Sequence, residues 1–236
     1  MNPGWNILCD FDGTIALDDV TDTLLERFAR PGWELIEAAW KAGRIGSREC
    51  MSGQIALIDA DRDEVDAVLD GLRIDPGFHD FVRASQRAGI GMSVVSDGLD
   101  YAIHRILGRH GLDGLPVIAN RLLQTAPREW RIEFPHAGTQ CRSGTCKCSC
   151  ARRETAARKR VLLIGDGQSD FCVATEADFV FAKGKLIEHC RQNHIPHAPI
   201  GGFLEALALL PSLLDGLFEA QTQRAERLLN TRVRTP

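Results

Sequence analysis

The sequence predicts an α/β fold, with a doubly wound, Rossmann-like parallel sheet as its core and an inserted helical cap domain. Three observations lead to this prediction. Short apolar runs alternate with amphipathic stretches along most of the 236 residues, as strands and helices do in a parallel sheet covered on both faces. Three of the apolar runs end in clusters of Asp, Ser and Gly. A long stretch after the first run has helical periodicity and no clear strand pattern.

The first predicted element is a short buried strand, "WNILC", over Trp5–Cys9. In the stretch that follows, apolar residues recur at helical spacing, for example in "EVDAVLDGL". We therefore expect residues 15–75 to form the helical cap. Residues 1–14 and 76–236 would then form the α/β core.

The predicted core continues with a helix and then alternates strands with helices. Asp75 is a typical helix N-cap, Pro76 suits the first helical position, and this helix is expected to end near Gly89. A second helix is expected from Leu99 to His110. The predicted strands of this part are, in order, "GMSVVSDG", "PVIAN", "WRIEF", "RVLLIGDG" and, as the last one, "DFVFA".

The bulk composition is that of a globular protein, with 44% hydrophobic and 25% charged residues. The net charge of -4 gives no general attraction to nucleic acid or to anionic membranes, so neither is expected as a partner. No apolar run approaches the roughly 18 to 20 residues of a membrane helix. The start of the sequence lacks the pattern of a signal peptide, which favours a cytoplasmic protein. Nothing in the sequence favours one oligomeric state.

Polar clusters follow three of the predicted strands, at the edge where open parallel sheets place their ligand sites. The clusters are Asp10 with Asp12, then Ser96, Asp97 and Gly98, and then Asp166 with Asp170. Each cluster alone is also compatible with an acidic turn or a helix cap. Carboxylates that converge need a compensating cation, and Mg²⁺ prefers oxygen ligands and binds phosphate oxygens as well. The sequence therefore predicts a Mg²⁺ site and a phosphate-bearing substrate.

Two aspartates two residues apart suit phosphoryl transfer. Once a cation offsets the negative charge, one aspartate can attack phosphorus and form an aspartyl-phosphate that water later hydrolyses. The other can protonate the leaving oxygen and deprotonate the attacking water. The sequence thus favours a phosphomonoester hydrolase. The alternatives are a phosphotransferase, which would use the same residues, and a catalytically silent protein that binds a phosphometabolite.

Four segments carry a resemblance to a known family. "DFDGT", "VVSDG", a lysine before the penultimate strand and "GDGQSD" resemble, in order, the four motifs of the haloacid dehalogenase superfamily of phosphatases. The resemblance implies that Asp10 is the nucleophile and Asp12 the general acid and base. It also implies that Mg²⁺ is held by the Asp10 carboxylate, the Asp12 carbonyl and Asp166, with Asp170 supporting the metal from behind. Ser96 and the backbone amides that follow it, at Asp97 and Gly98, would hold phosphate oxygens.

The lysine of the third motif has to be chosen among several cations. Lys147 is our choice, because it precedes Asp166 by enough residues for a short helix and a strand and lies where a helix could begin. A lysine close to Asp10 would offset the repulsion between the aspartate and the phosphate. The alternative is that Lys147 is an ordinary solvated lysine. The other cations are Arg152, Arg153, Lys159 and Lys183.

The helical insert resembles the cap of the phosphoserine-phosphatase-like branch, which closes over a small substrate. "FPHAG", "CRSGTCKC" and "FVFAKGKLIEHCRQNHIPHAPI" are similar to the phosphatases of methionine salvage. The resemblance implies a small phosphorylated metabolite as partner, an acireductone-type thiopentenyl phosphate, with phosphoserine or another small amino-alcohol phosphate as the alternative. Asp19, Arg44 and Arg48 are candidate substrate contacts in the cap, and each is equally compatible with a solvated helix residue. Trp40 is a further candidate, which could accept a thioether or alkyl tail.

Four of the eight cysteines are crowded into one segment: Cys141, Cys146, Cys148 and Cys150. Their spacing lacks the paired C-x2-C knuckles of familiar structural zinc sites. Reduced thiols lining a tight turn are therefore the favoured interpretation, and a zinc site and a redox-labile pair stay open as alternatives. The remaining cysteines are predicted to pack as small hydrophobic residues. They are Cys9, Cys50, Cys172 and Cys190.

Overall fold

A computed structural model describes residues 4–139 and 141–218 of the chain. A seven-stranded sheet lies at the centre, with the strand order β4-β3-β2-β1-β5-β6-β7. The strands are β1 (Trp5–Cys9), β2 (Gly91–Leu99), β3 (Val117–Ala126), β4 (Glu129–Glu133), β5 (Arg160–Gly165), β6 (Phe179–Ala182) and β7 (His197–Pro199). All neighbouring strands are parallel except β3 and β4. The predicted α/β fold is thereby confirmed.

Ten helices surround or extend this sheet in the described part of the chain. They are α1 (Val20–Phe28), α2 (Trp33–Lys41), α3 (Ser47–Ile55), α4 (Arg62–Gly71), α5 (Phe78–Arg87), α6 (Asp100–Arg109), α7 (Lys147–Ala156), α8 (Phe171–Ala174), α9 (Gly184–Gln192) and α10 (Phe203–Leu214). None of them has the length and apolar character that crossing a membrane requires.

The side chains of the central strands alternate between two apolar layers. In β1, Ile7 and Cys9 belong to one buried cluster, whereas Leu8 belongs to the other. β5 repeats the pattern, with Leu162 in the first cluster and Leu163 in the second. Because successive side chains of a strand point to opposite faces, an unbroken apolar run is what a sheet covered on both sides requires.

The helical insert follows β1 directly. Helices α1 to α4 lie between β1 and α5, and residues 10–77 contain no strand, only two isolated bridges. One bridge pairs Ala16 with Ile74, where the chain enters and leaves the insert. The cap boundaries at residues 15 and 75 stay a prediction. The predicted core includes residues 1–3 and 219–236, which lie outside the described residues.

Two helix and strand predictions need correction. Helix α5 begins at Phe78 and not at Pro76, because the Asp75 carboxylate accepts hydrogen bonds from Gly77 N (2.8 Å) and from Phe203 N (3.2 Å). Asp75 therefore joins the starts of α5 and α10. The strand β7, His197–Pro199, was not predicted, since three residues are too few to show a periodicity.

A third correction concerns the edge of the sheet. β3 and β4 are joined by a short turn at Pro127 and Arg128, so they form an antiparallel hairpin. A parallel pair would need a crossover of a dozen or more residues. The purely parallel sheet that the alternation of elements predicted is therefore interrupted at this edge.

Candidate active site

Two adjacent central strands supply the acidic side chains of the site. β1 ends just before Asp10, whose backbone N–H donates to the Ile164 carbonyl of β5 at 2.9 Å. β5 in turn leads into Asp166 and the turn that carries Asp170. Ligand oxygens of Asp10, Asp166 and Asp170 all lie within 4.8 Å of one another. The structure thus brings together three carboxylates that belong to the first and the last of the polar clusters in the sequence.

A buried lysine compensates part of this negative charge. Lys147 is the first residue of α7, and only 2% of its side chain is exposed. Its Nζ lies 2.8 Å from Asp10 Oδ1 and 2.7 Å from Asp170 Oδ1, and it donates to Ser169 Oγ at 3.2 Å. Burial alone would lower the pKa of Lys147, but Asp10 and Asp170 raise it above its ordinary value. The side chain therefore remains a cation next to Asp10.

Asp170 is fully buried and has both carboxylate oxygens occupied. Oδ1 contacts Lys147, while Oδ2 accepts hydrogen bonds from Asp166 N (3.1 Å) and Gly167 N (3.4 Å). Burial and the nearby Asp10 raise the pKa of Asp170 to about 7, although Lys147 acts in the opposite direction. With these partners, Asp170 positions Lys147 and the loop after β5. Its carboxylate stays close to those of Asp10 and Asp166.

Asp166 is held by residues of the first motif. Thr14 Oγ1 donates to Asp166 Oδ1 at 3.2 Å. Gly13 has a φ of +68°, and a Cβ on it would lie 2.7 Å from Asp166 Oδ2, so this turn needs glycine on both counts. Burial and Asp10 raise the pKa of Asp166. Because the donors are all oxygens and repel each other, the site fits a hard cation such as Mg²⁺.

Asp12 faces the start of the first cap helix. Its Oδ1 accepts a hydrogen bond from Val20 N, the first residue of α1, at 2.9 Å. Desolvation, followed by the neighbouring Asp19, raises the pKa of Asp12 well above that of an ordinary carboxyl group. A carboxyl group that keeps its proton to higher pH suits a proton donor.

The second motif lies beside the aspartates at the end of β2. Ser96 is buried, and its Oγ accepts a hydrogen bond from Gly98 N at 2.9 Å, which shapes the loop around the cavity. Asp97 lines the same cavity, but its carboxylate accepts hydrogen bonds from Thr145 N (2.8 Å) and from the Ser47 hydroxyl. Asp97 thereby connects cap helix α3 with the loop that precedes Lys147. Its predicted contribution to phosphate binding therefore rests on the backbone and not on the carboxylate.

A cavity of about 790 Å³ lies between the cap helices and the sheet edge. Asp10, Asp12, Ser96 and Asp166 line its floor. Trp40, Lys41, Cys50, Met51 and Gln54 line the cap side. The cap side also carries the carboxylates of Asp22 and Glu37. The cavity is thus acidic at the floor, and its opposite wall combines an aromatic ring and two sulfur atoms with these carboxylates and Lys41.

The structure places the three charged residues predicted as cap contacts differently. Asp19 lines the cavity and also caps α1, where its carboxylate accepts from Asp22 N at 2.9 Å; desolvation, followed by Asp22, raises the pKa of Asp19 to about 6. Arg44 is exposed and does not line the cavity. Arg48 also lies off the cavity wall, because its guanidinium donates to the Cys141 carbonyl at 3.3 Å. Only Asp19 therefore remains a candidate contact among the three.

Sequence reasoning missed two hydroxyl residues of the site. Thr14 contacts Asp166, and Ser169 Oγ donates to Asp10 Oδ2 at 3.4 Å. Both lie inside the quoted motifs "DFDGT" and "GDGQSD". Only their position within these motifs could have indicated that they belong to the site, because hydroxyl groups in turns have many other local roles.

The cysteine predictions are corrected in part. Cys172 is exposed, so the prediction that it packs as a small buried hydrophobic residue is wrong. It lies instead beside Cys141 and Cys148, with ligand atoms within 4.8 Å of one another. Cys150 is directed elsewhere and accepts a hydrogen bond from Arg153 at 3.2 Å.

Comparisons with known proteins agree with this geometry. A sequence profile of the family described as haloacid dehalogenase-like hydrolase matches residues 7–175. A 2-hydroxy-3-keto-5-methylthiopentenyl-1-phosphate phosphatase of Geobacillus thermodenitrificans is 32% identical, over 88% of this chain and 96% of its own length. A phosphatase of the same description from Exiguobacterium sp. is 30% identical, over 87% of this chain and 96% of its own length.

Solved structures show the same fold. A HAD-family hydrolase from Salmonella enterica serovar Typhi aligns with a TM-score of 0.68 at 17% identity, covering 88% of this chain and 70% of the other. A substrate-bound phosphoserine phosphatase aligns with a TM-score of 0.66 at 17% identity, covering 88% of this chain and 99% of the other. At these identities the likeness concerns the fold alone.

Proposed function

Since the chain belongs to the haloacid dehalogenase-like hydrolase family and is a phosphatase, we propose that it hydrolyses 2-hydroxy-3-keto-5-methylthiopentenyl-1-phosphate through an aspartyl-phosphate, with Mg²⁺ as the cofactor. The observation that carries the proposal is the combination of Asp10 beside Lys147 at the cavity floor with an aromatic and sulfur-lined wall above it. The relatives that bear this substrate in their names support the same reaction.

Asp10 is the proposed nucleophile. Its carboxylate lies at the cavity floor, and its Oδ1 accepts hydrogen bonds from Phe11 N and Lys147 Nζ, both at 2.8 Å. These contacts fix the orientation of the carboxylate, so the second oxygen, Oδ2, is the one left with a single weak contact to Ser169. We assign the attack on phosphorus to Oδ2. The P–O bond to the leaving alcohol then breaks as the Asp10–phosphate bond forms.

Two cations would offset the charge of the phosphoryl group. Lys147 is already present beside Asp10 and stabilises negative charge that develops on the transferring oxygens. Asp10 and Asp166 would hold Mg²⁺, which polarises phosphoryl oxygens when bound. Thr14 orients Asp166 for this role through its hydrogen bond.

Asp12 is the proposed proton donor and acceptor. It lies at the cavity floor two residues after Asp10, and the hydrogen bond from Val20 N holds one carboxylate oxygen toward α1. The other oxygen can give its proton to the leaving alcohol and later take one from the water that hydrolyses the aspartyl-phosphate.

The cap wall favours a neutral, thioether-bearing tail over an amino acid. Trp40, Cys50 and Met51 offer the polarizable and aromatic surface with which a thioether packs well. Lys41, a cation on this wall, is already paired with Glu37 at 3.0 Å. The carboxylate of phosphoserine would have to compete for this lysine, and an unpaired charge in an enclosed cavity is costly.

Substrate preference tests the proposed function. In a panel of small phosphate esters with Mg²⁺, we expect kcat/KM for the thiopentenyl phosphate to exceed that for phosphoserine by at least about tenfold, or roughly 1.4 kcal/mol. A preference of that size for phosphoserine would overturn the substrate assignment and leave the phosphatase assignment standing.

The same panel in excess chelator tests the cofactor: turnover is expected to stop and to return with Mg²⁺. Undiminished turnover in chelator would contradict the cation assignment.

Asp12→Asn tests the proton donor. The amide cannot donate a carboxyl proton, so we expect kcat to fall much more for alkyl phosphates, with poor leaving groups, than for p-nitrophenyl phosphate, whose leaving group needs little protonation. The measurement is kcat on both ester classes for the wild type and the variant. Glu49→Gln, a change of an exposed carboxylate in the cap, is the matched control and is expected to alter neither. Equal losses on both classes would assign Asp12 another role.

A further inference from the structure

A cluster of thiols lies close to the active site without belonging to it. Cys141, Cys148 and Cys172 each offer a sulfur atom, and the three atoms lie within 4.8 Å of one another; we call these residues the thiol triad. A fourth sulfur, that of Cys146, lies 3.2 Å from Cys141 Sγ. All four are free thiols, since a disulfide needs about 2.05 Å.

From this arrangement we infer that the thiol triad binds a thiophilic divalent cation of the zinc class. In tetrahedral coordination with Zn–S bonds of about 2.3 Å, neighbouring sulfur atoms are about 3.8 Å apart. The three sulfur atoms already lie within a small adjustment of that spacing. Each thiol gives up its proton to solvent on binding, as thiolate ligands do.

Two separate segments of the chain supply the ligands, one around the start of α7 and the other in α8. Cys141 lies in the loop before α7, Cys148 is the second residue of α7, and Cys172 is the second residue of α8. Packing of small hydrophobic residues does not account for this convergence, because Cys172 is exposed and Cys141 is half-buried. The exposed side gives the cation a path of entry.

The surroundings fit bound thiolates. Cys148 lies in the first turn of α7, where the N-terminal end of the helix favours negative charge. A hydrogen bond with Cys172 and burial nevertheless raise the pKa of the Cys148 thiol, so its deprotonation depends on the bound cation. The same hydrogen bond lowers the pKa of Cys172 to about 6. Beside the triad, Ser149 Oγ donates a hydrogen bond to Cys146 Sγ at 3.1 Å. Cys146 is thus hydrogen-bonded in the way that residues next to metal ligands commonly are.

The site would clamp the two segments that carry the buried ion pair of the active site. Lys147 lies between Cys146 and Cys148, and Asp170 precedes Cys172 by two residues. A cation on the thiol triad therefore ties the start of α7 to α8, with the Lys147–Asp170 contact of 2.7 Å between them. We expect this cation to stabilise the fold and not to enter the reaction.

Cobalt binding tests the inference on the full chain, reduced with a phosphine and held in excess Mg²⁺ so that the acidic site is occupied. One equivalent of Co²⁺ is expected to give thiolate-to-metal charge-transfer bands and the intense d–d bands of a tetrahedral site, which Zn²⁺ then abolishes. Cys172→Ser should lose these bands, since its exposed position allows the change without loss of fold. Cys150→Ser, the matched control in the same helix, should keep them.

Thermal unfolding gives a second readout. Because a ligand that binds only the folded state stabilises it, Zn²⁺ is expected to raise the Tm of the wild type and of Cys150→Ser, and to leave that of Cys172→Ser unchanged. Absence of the charge-transfer bands in the reduced wild type would overturn the inference. Equal cobalt spectra in wild type and Cys172→Ser would also overturn it, as would binding only after Mg²⁺ is removed.

Discussion

Asp10→Asn is expected to lower kcat by more than about a hundredfold, at least 2.7 kcal/mol in the activation barrier, and to leave the fold intact. The amide nitrogen has no lone pair available for attack on phosphorus, so the covalent step is lost. The amide oxygen can still accept the hydrogen bond that Phe11 N gives to Asp10. Lys147 also retains Asp170 as a partner, so no buried charge is left alone.

The aspartyl-phosphate gives this prediction a second measurement. With a substrate labelled at phosphorus, acid quenching of the wild type during turnover is expected to leave label bound to the protein. Hydroxylamine should release this label, because it cleaves acyl phosphates. Asp10→Asn should carry no such label. Asp18→Asn, a change of an exposed aspartate in the loop that follows, is the matched control and is expected to keep both kcat and label. More than about a hundredth of the wild-type kcat in Asp10→Asn would remove Asp10 from its proposed role.

The acidic floor could be predicted from the sequence because it follows from topology. Parallel strands end at one edge of the sheet, so polar residues that end β1 and β5 have to meet. The place of Lys147 could be predicted for a related reason. A helix that begins just before β5 and packs on the sheet directs its first turn to the same edge.

The cap contacts could be predicted only in part, because they depend on how α2 and α3 rotate against the core. Arg44 and Arg48 are polar residues of the cap with no partner visible in the sequence, and Arg48 is drawn to the Cys141 carbonyl. Trp40, a predicted contact for a thioether tail, does line the cavity, and so does Lys41, which was not predicted. Side chains on one short helix point to several faces, so the sequence alone does not select the one that meets the substrate.

Two further residues have roles that only tertiary partners define. Asp97 belongs to a motif that suggests phosphate binding, yet Thr145 N and the Ser47 hydroxyl hold its carboxylate. Cys172 looks like a packing residue in sequence, whereas the fold brings it to Cys148. In both cases the partner lies more than twenty residues away in the chain, beyond the reach of a local pattern.

Lys147→Met is expected to abolish most activity and to lower the free energy of unfolding by about 3–5 kcal/mol, measured by urea denaturation in excess chelator. Methionine fills the space of the lysine stem but leaves Asp10 and Asp170 facing each other without their shared cation. Lys159→Met is the matched control, because Lys159 follows the same helix with nearly half of its side chain exposed and a 3.6 Å contact to Glu154. Its loss is expected to cost less than about 0.5 kcal/mol.

The stability of Lys147→Met should also depend on pH. Lys147 lowers the pKa of Asp170, which burial otherwise raises, so its removal raises that pKa further above about 7. The folded variant then holds a proton that the unfolded chain releases, and its free energy of unfolding falls as pH rises from the ordinary carboxyl range to the raised pKa. The deficit relative to the wild type is therefore expected to be larger at about pH 9 than at about pH 6.

The double variant Lys147→Met with Asp170→Asn separates unpaired charge from lost packing. If the deficit of Lys147→Met comes from two buried carboxylates without a cation, replacing one of them with a neutral amide should recover part of the stability, since Asn can still accept from Asp166 N and Gly167 N. The pH dependence should shrink with it, because the group that binds the extra proton is gone. A double variant as unstable as Lys147→Met at both pH values would instead attribute the loss to the lysine stem, and Lys147 would then be a packing residue and not the cation of the site.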